Sequence, residues 1–323
     1  MTRSKDSFML VKRLILMIIT TSVLASLAEA RININTDAVQ KSVVFLYRAH
    51  SETEADTTKP LGTAFLVSVP TVDKTQTYLL LVTARHIVEP QWAFCSEPNP
   101  SVIFARLNRA QFDPHKDTSG VVYVAIRLRS QTGNNFAVAS DPLADAAVVQ
   151  LTPDTFKGTE YASVTVPPPS VPLLVFATPD DVKEIGVGES VVSAGLVPGM
   201  SGEKRNYPFF KFGQISSIPD EPVWLGCEEG MPALKLGRVW FIAANLIRGN
   251  SGSPIYYVPQ GGGGIMYGGS VGRPVLLGLQ SISFIPADIA GMTPIEYVFK
   301  IIEGLGLPNA DLARGEPAAV PKK

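Results

Sequence analysis

Short β-rich segments separated by turn residues dominate the sequence from Ser42 onward, and they constrain the fold more than any other feature. Runs of Val, Ile, Leu, Phe and Tyr are interrupted by Gly, Pro, Asn, Asp and Ser, a pattern typical of antiparallel strands. Six strands are predicted in the first half of the chain: Ser42 to Ala49, Gly62 to Val69, Thr77 to Arg85, Val102 to Ala110, Val121 to Leu128 and Asp145 to Leu151. Six more are predicted in the second half: Leu173 to Ala177, Glu189 to Val197, Phe210 to Pro219, Val239 to Ala244, Ser253 to Pro259 and Val275 to Ile285. The sequence therefore predicts an all-β protein built from two six-stranded units.

A proline-rich segment from Thr152 to Pro172 separates the two units. It contains Pro167-Pro168-Pro169, and consecutive prolines lack the N–H groups that a sheet needs and favour extended polyproline geometry. We therefore expect a first unit over residues 31–151, a linker over 152–172 and a second unit over 173–307.

One helix is predicted, near the C-terminus. Thr293-Pro294-Ile295-Glu296 fits a capping box with Thr293 as the cap. An apolar stripe at helical spacing follows, and Gly304 offers a stop; the stripe consists of Ile295, Phe299 and Ile302. We expect this helix to pack against the second unit. The tail, residues 308–323, is rich in Ala, Pro and Lys and is predicted to be disordered.

Residues 1–30 have the features of a secretory signal peptide. A basic start precedes an apolar run of 14 residues from Leu14 to Leu27, and Ala28-Glu29-Ala30 is a small-x-small cleavage site. A bilayer-spanning helix needs about 20 apolar residues, so no stable membrane anchor is expected. The sequence predicts export to the periplasm or the extracellular medium, with an uncleaved anchor as the alternative.

Charge and cysteine usage exclude several classes of function. The 28 basic and 29 acidic residues give a formal net charge of -1, which lacks the basic excess of proteins that bind nucleic acid. Neither Cys-x-x-Cys nor His-Glu-x-x-His is present, so no metal and no cofactor is predicted. Export would permit a disulfide between the only two cysteines, Cys95 and Cys227, but their separation does not decide whether one forms.

The stretch Gly249-Asn250-Ser251-Gly252-Ser253-Pro254 is the candidate for nucleophilic chemistry. Glycine at position 249 permits a positive φ and the close approach of a substrate carbonyl. The backbone N–H groups of Gly249 and Ser251 would then form an oxyanion hole. The same residue types also make ordinary polar turns, so the stretch alone supports both interpretations.

The histidines exclude one class of hydrolase and supply a candidate base. His50, His86 and His115 all precede Ser251, and Ser253 stands where a Gly-x-Ser-x-Gly motif has its last glycine, so an α/β-hydrolase is excluded. His86 ends an apolar strand, where a rigid element would present the imidazole to a cleft.

Asp145 is the candidate acid, because a carboxylate before the apolar run Ala146 to Leu151 needs a hydrogen-bond donor and an imidazole N–H is a suitable one. A strand-end cap is the alternative role, and Asp141 competes with Asp145 for either.

These elements together resemble the chymotrypsin-like, or trypsin-fold, serine proteases, in particular the bacterial trypsin-like and HtrA-type branch. The order His, Asp, Ser is the chymotrypsin order, and the resemblance spans about residues 40 to 303. The matching segments are Gly62 to Val67, Thr83 to His86, Asp145 to Val149, Val187 to Val192 and Arg248 to Pro254.

The resemblance implies two six-stranded antiparallel β-barrels with a triad in the cleft between them. His86 would be the general base, Asp145 would orient its ring, and Ser251 would attack the peptide carbonyl of a polypeptide substrate. Asn245 would form the floor of the side-chain pocket, which predicts uncharged, small or aliphatic preferences. The strand around Gly278, Gln280 and Ser281 would pair with extended substrate backbone.

Two departures from the family pattern limit what the resemblance implies. Asn250 stands where many relatives have an aspartate that pairs with a newly cut N-terminus, so activity is expected without propeptide removal beyond the signal peptide. The residues after Ile285 are too few for the appended PDZ domain of HtrA-type proteins. Two other functions stay open, a catalytically silent peptide-binding module and an esterase using the same triad, and the sequence does not predict the oligomeric state.

Overall fold

The structure is a computed structural model that describes residues 36–93, 97–110, 115, 119–162, 167–197, 199–200, 202–226, 234–247, 249–259, 274–284 and 288–315. The predicted signal peptide, Cys95 and Cys227 lie outside these residues, as do Arg248 and the tail after residue 315.

Strands dominate the part of the chain that the structure describes. They are β1 (Val43–Ala49), β2 (Ala55–Pro70), β3 (Thr77–Thr83), β4 (Val102–Asn108), β5 (Val121–Arg127), β6 (Arg129–Ser130), β7 (Gly133–Asn134), β8 (Ala137–Val138), β9 (Ala147–Leu151), β10 (Val171–Pro172), β11 (Ser190–Gly195), β12 (Phe209–Ser217), β13 (Val223–Gly226), β14 (Leu234–Gly237), β15 (Trp240–Ala243), β16 (Pro254–Tyr257), β17 (Val275–Phe284) and β18 (Ile289–Pro294). The α-helices are α1 (Thr36–Ser42), α2 (Arg85–Val88), α3 (Pro179–Glu184) and α4 (Ile295–Gly304), and short 3-10 turns lie at Pro90–Ala93, Pro153–Phe156, Glu160–Ala162 and Leu173–Val175.

The first unit is an eight-stranded sheet. Seven strands follow the order β5-β4-β1-β2-β3-β9-β8, and the eighth, β10, pairs in parallel with β2. Its long strand β2 pairs antiparallel with β1 and β3, so that Phe65 lies opposite Val43 on one side and Val82 on the other. Register shifts around Tyr47 in β1 let the pair bend. The pairing of Thr83 with Ala147 places the end of β3 beside the start of β9.

The second unit is a closed barrel with the order β11-β12-β15-β18-β17-β16. All six neighbouring pairs are antiparallel. Register shifts interrupt three of the pairs, between Ile215 and Ser217, between Ile255 and Tyr256 and between Gln280 and Ile282. Bulges of this kind increase local bending and twist, which a six-stranded sheet needs in order to close.

The predicted fold class is confirmed, with one difference in the first unit. The chain is all-β with a helix near its C-terminus, and the second unit is the expected six-stranded barrel. In the first unit, two short strands that were not predicted, β8 and β10, join the sheet. The described pairings end at β5 on one edge and at β8 on the other. Strands this short carry no alternating pattern of their own, so the sequence did not predict them.

One strand prediction in the second half is wrong, and one strand of the barrel was missed. The segment Leu173 to Ala177 begins as a 3-10 turn, with Phe176 making only an isolated bridge to Leu276. The barrel instead takes its last strand from β18, which the sequence analysis missed. The β18 sequence Ile-Ala-Gly-Met-Thr-Pro has a glycine and a proline in a short run, and both residue types are depleted in strands.

Helix α4 forms where it was predicted but begins without the predicted cap. Its N-cap is Pro294 with no side-chain hydrogen bond, because the Thr293 hydroxyl is hydrogen-bonded to Ser281 within the barrel instead. The apolar face of α4 is buried and packs against β17 of the barrel and β9 of the first sheet. No helix within the described residues combines the length and the apolar character required to cross a bilayer.

The segment that follows α4 is held against the first sheet, although it was expected to be disordered from residue 308. Asp311 N–H donates to the Pro70 carbonyl at 2.8 Å, and the Tyr78 hydroxyl donates to the Pro308 carbonyl at 2.8 Å. Arg314 pairs with Glu296 of α4 at 2.7 Å. Ala310 and Leu312 also pack against the core, so residues 308–315 are held by contacts with distant segments that their composition does not show.

Candidate active site

His86 and Asp145 are joined by two hydrogen bonds. The backbone N–H of His86 donates to Asp145 Oδ1 at 2.9 Å, and the ring nitrogen Nδ1 lies 2.7 Å from Asp145 Oδ2. A carboxylate only accepts, so the proton of the neutral ring is on Nδ1 and Nε2 remains an acceptor. The Asp145 carboxylate therefore fixes both the orientation and the tautomer of the ring.

The fold brings these two residues together through the pairing of β3 with β9. His86 is the second residue of α2, a single turn that begins two residues after β3 ends, and Asp145 lies two residues before the start of β9. Asp145 is only 7% exposed and lies between fully buried alanines at positions 144 and 146. A carboxylate in such surroundings is costly unless it is hydrogen-bonded, and His86 supplies both donors.

Asp141, the competing candidate, lies in a different environment. Its carboxylate accepts from the backbone N–H of Leu143 at 2.9 Å and from Arg238 Nε at 3.3 Å. The Tyr297 hydroxyl donates to the same carboxylate at 3.4 Å. The carboxylate hydrogen-bonded to His86 is therefore Asp145, while Asp141 links the first sheet to the second unit and to α4.

The charge state of His86 depends on opposing effects. Burial lowers the pKa of the ring, but the charge of Asp145 and its hydrogen bond raise it, and the net effect is a raised pKa. The ring remains 25% exposed, so one edge is open to a reacting group. His86 can thus accept a proton at Nε2 and hold it next to a carboxylate.

Lys235 is a charged neighbour of this pair that the sequence analysis did not identify. It lies on β14, and its Nζ donates to the Trp92 carbonyl at 2.9 Å while the ammonium lies over the Trp92 ring. Burial lowers the pKa of Lys235 to about 7, with the charge of Asp145 opposing that effect. The charge of Lys235 in turn lowers the pKa of His86. A single lysine between two leucines gives no sequence signal for such a position.

The loop that carries Ser251 is shaped by two glycines with positive φ, Gly249 at 91° and Gly252 at 83°. A Cβ atom on Gly252 would lie 2.1 Å from the Thr63 carbonyl oxygen and 3.1 Å from the backbone nitrogen of Ala84, two residues before His86. Glycine is therefore required at 252 for conformation and for space. This close packing places the Ser251 loop against the end of β3.

Ser251 lies next to the histidine segment, but its hydroxyl is not hydrogen-bonded to the His86 ring among the bonds of the described residues. Its carbonyl accepts from the Thr63 N–H at 2.8 Å, and its surface is partly exposed. The structure thus brings His86 and Asp145 into direct contact and holds Ser251 on an adjoining loop.

The two predicted oxyanion donors are the N–H groups that the loop leaves unused. The N–H groups of Asn250, Gly252 and Ser253 donate to backbone carbonyls at 3.1, 2.7 and 2.8 Å. For Gly249 and Ser251, no acceptor is found in the part of the chain that the structure describes. Two unpaired N–H groups flanking Asn250 are available to an incoming oxygen atom.

Asn245, the predicted pocket floor, is exposed and lines a pocket of about 470 Å³. The other described lining residues are Val197, Met200, Phe209, Lys211, Phe212 and Ile247. Apolar side chains dominate this lining, and no carboxylate is among these residues.

The residues predicted to pair with substrate backbone are partly used by the barrel itself. Gly278 pairs with Ile255 on one side and with Pro294 on the other. Gln280 makes two backbone hydrogen bonds with the loop that carries Ser251, accepting from Gly252 at 2.7 Å and donating to Ser253 at 2.9 Å. Ser281 is buried, with its hydroxyl bonded to Thr293. The described pairings of β17 from Ile282 to Phe284 are with β18 alone, so this later segment offers the open edge.

The comparisons with known proteins are limited to solved structures, because no protein-family model and no curated protein matches the chain. The apo protease domain of MamO from Magnetospirillum magneticum is 12% identical with a TM-score of 0.44, covering 82% of this chain and 97% of that chain. The active form of the Rv3671c protease from M. tuberculosis is 18% identical with a TM-score of 0.44, covering 85% and 86%. Tobacco etch virus protease complexed with product is 12% identical with a TM-score of 0.44, covering 89% and 86%. All three are proteases by name.

Proposed function

We propose that this chain is an exported serine endopeptidase that hydrolyses peptide bonds through an acyl-enzyme, with His86, Asp145 and Ser251 as its triad. The observation that carries the proposal is the two-point hydrogen bonding of His86 by Asp145 beside the Ser251 loop. This arrangement leaves Nε2 of the ring as an acceptor, which is the state a general base needs.

In each half-reaction His86 first accepts a proton and then gives it up, while Asp145 stays ionised. Ser251 Oγ attacks the carbonyl carbon of the scissile peptide while its proton passes to His86 Nε2. The C–N bond then breaks, and the protonated His86 gives that proton to the leaving amine, which leaves an ester on Ser251. Water attacks the ester carbon while its proton passes to His86, the bond from that carbon to Ser251 Oγ breaks, and the protonated His86 gives the proton to Oγ, which releases the acid product and restores the free serine. Asp145 stabilises the imidazolium in both steps.

The oxyanion of each tetrahedral intermediate would be bound by the N–H groups of Gly249 and Ser251. Both groups lack an acceptor within the described residues, so no existing hydrogen bond has to break when the oxyanion forms. Loss of one such donor typically raises the barrier by about 2.7 to 4 kcal/mol.

The substrate class that fits the cleft is an extended polypeptide. The open edge of β17 at Ile282–Phe284 allows a substrate strand to pair by backbone hydrogen bonds. The pocket beside Asn245 has an apolar lining without a carboxylate among its described residues. We therefore propose cleavage after uncharged side chains, with Gly278 and Gln280 supporting the site from within the barrel rather than contacting the substrate.

A second candidate function is a protease-like module that binds peptides without turnover. It is favoured by one observation, that the Ser251 hydroxyl is not hydrogen-bonded to the His86 ring in the described structure. Such bonds often tighten only when substrate is bound, and all three triad residues are present, so we place the enzyme first. An esterase would use the same residues in the same roles.

Cleavage-site mapping tests the proposed reaction and its specificity together. The exported chain and its Ser251→Ala variant are each incubated with a peptide library, and the products are identified by mass spectrometry. We expect cleavage by the wild type alone, mainly after uncharged residues. Cleavage dominated by Arg or Lys on the amino side of the bond would contradict the specificity, whereas products identical in both samples would contradict the peptidase.

Export is tested separately by sequencing the N-terminus of the protein that leaves the cytoplasm. We expect a mature chain that begins at Arg31, and an Ile18→Arg variant, with a charge in the apolar run, that stays inside the cell. Recovery of the wild type in the membrane fraction with residues 1–30 intact would support the uncleaved anchor instead.

A further inference from the structure

Asn250, between the two proposed oxyanion donors, is fully buried and fixed by its side chain. Its amide Nδ2 donates to the Leu196 carbonyl at 2.6 Å. Its Oδ1 accepts from the Ile247 N–H at 3.0 Å and from Lys211 Nζ at 3.2 Å. This side chain, next to the proposed nucleophile, therefore joins its own loop at Ile247 to two residues that are distant in sequence, Leu196 and Lys211.

Lys211 reaches Asn250 from the neighbouring strand of the barrel. It lies on β12, opposite Ser193 of β11, and it is partly buried in the wall of the 470 Å³ pocket beside Val197, Phe209 and Ile247. Burial lowers the pKa of Lys211, and no charged group opposes that effect. A hydrogen bond from a cation is stronger than one between neutral groups, and it is stronger still in an apolar wall.

We propose that Lys211 is a positioning residue for the nucleophile loop, which holds Asn250 so that the N–H groups of Gly249 and Ser251 point at one oxygen atom. This inference rests on the proposed function, because it concerns the oxyanion hole of that reaction. It also gives a physical reason for activity without a newly cut N-terminus. The ammonium group of Lys211 binds residue 250, as the new N-terminal amine would bind an aspartate at that position in relatives, and Lys211 is already part of the folded barrel.

The geometry makes the loop dependent on this contact. Gly249 has no side chain to limit its backbone, and its φ of 91° is one conformation among several that glycine adopts readily. Thr63 also holds this loop, because its hydroxyl donates to the Gly249 carbonyl and its N–H donates to the Ser251 carbonyl, and the Asn250 side chain adds the restraint on the inner side of the loop. Removing the ammonium leaves Oδ1 with the Ile247 N–H alone and lets the two N–H groups turn away from each other.

The test is the inactivation of the full exported chain by a fluorophosphonate, with the maximal rate and the half-saturating concentration measured separately. For Lys211→Met, which keeps the aliphatic stem, we expect the maximal rate to fall by about tenfold or more with little change in half-saturation. Lys211→Arg, which keeps a cationic donor, should recover most of the rate. Lys183→Met removes an exposed lysine on α3 and serves as the matched control.

Two further readouts separate a positioning role from general destabilisation. Hydrogen exchange at Gly249 to Ser253 should be faster in Lys211→Met than in wild type, while exchange in β1 to β4 should be unchanged. Asn250→Asp should raise the pKa of Lys211, because a carboxylate stabilises the ammonium, and should move any alkaline loss of activity to higher pH.

Equal inactivation rates and equal loop exchange in wild type and Lys211→Met would overturn the inference. If the wild type itself is not labelled, the proposed function fails and the catalytic part of the inference fails with it. Exchange at Gly249 to Ser253 then decides whether Lys211 holds the loop.

Discussion

The hydroxyl of Thr63 donates a hydrogen bond to the carbonyl oxygen of Gly249 at 2.7 Å, joining the first sheet to the loop that carries Ser251. The same hydroxyl accepts from the Leu196 N–H at 2.8 Å, and the Thr63 N–H donates to the Ser251 carbonyl at 2.8 Å. Thr63 is fully buried and lies on β2, beside the end of β3 that leads to His86. Thr63 thus fixes the position of the Ser251 loop relative to the segment that carries His86.

Thr63→Val should therefore destabilise the protein and slow its reaction. Valine fills the same volume but leaves the Gly249 carbonyl and the Leu196 N–H without their partner, at a cost of roughly 1 to 3 kcal/mol. Thr63→Ser keeps the hydroxyl and should lose only about 1 kcal/mol for the missing methyl group. Urea unfolding measures the first effect, and the rate of fluorophosphonate labelling measures the second. Equal stability of the Val and Ser variants would argue against the bridging role.

Asp145→Asn should nearly abolish activity while leaving the fold intact. The amide places a donor where the carboxylate accepts, so the His86 ring is held in the wrong tautomer, an effect of about 10⁴-fold in serine proteases. Asp141→Asn is the matched control, because Asp141 bonds to Arg238 and Leu143 rather than to His86. The labelling rates of the two variants should differ by at least a hundredfold. Comparable losses in both variants would contradict the assignment of Asp145, rather than Asp141, as the acid.

The pH at which activity falls on the acid side of the pH–rate profile should depend on Lys235. Activity needs neutral His86, whose pKa is raised above the ordinary histidine value, so the rate falls as pH drops through that raised pKa. The charge of Lys235 opposes the raised pKa. Lys235→Met should therefore raise the pKa of His86 further and shift the acid limb to higher pH, whereas Lys183→Met should leave it unchanged. A shift to lower pH would contradict the placement of Lys235 near the pair.

Gly252→Ala should be far more damaging than Gly188→Ala, although both glycines have similar positive φ values of 83° and 93°. A Cβ on Gly188 meets nothing within 4 Å, whereas one on Gly252 would lie 2.1 Å from the Thr63 carbonyl oxygen. The Gly188 variant should lose about 1 to 2 kcal/mol of stability from backbone strain alone. The Gly252 variant should lose considerably more and also lose labelling, as urea unfolding and fluorophosphonate kinetics would show. Similar losses in the two variants would contradict the close packing at Gly252.

Local sequence patterns predicted the strands that have strong apolar runs and the residues that these strands carry to the site. Thr77 to Thr83 is a continuous apolar or β-branched segment and Ala147 to Leu151 is one apart from the exposed Gln150, and their pairing places His86 beside Asp145. The choice between Asp145 and Asp141 needed the structure, because the two carboxylates are only four residues apart. Only the three-dimensional positions of Leu143, Arg238 and Tyr297 identify the partners of Asp141.

The features that sequence patterns missed depend on contacts between distant segments. The short strand β18 has no apolar alternation, but it is required to close the barrel between β15 and β17. Thr293 fits a helix cap by its spacing, yet the barrel uses its hydroxyl for Ser281. Lys211 and Lys235 carry no motif, and their importance arises only from Asn250, Trp92 and Asp145, which lie far away in the chain.

The most direct test of the proposed serine chemistry is labelling of the folded protein by a fluorophosphonate. We predict covalent modification at Ser251 in the wild type, no modification in Ser251→Ala, and a rate reduced by several orders of magnitude in His86→Ala. Absence of labelling in folded wild-type protein, or labelling that persists in His86→Ala at the wild-type rate, would contradict the triad.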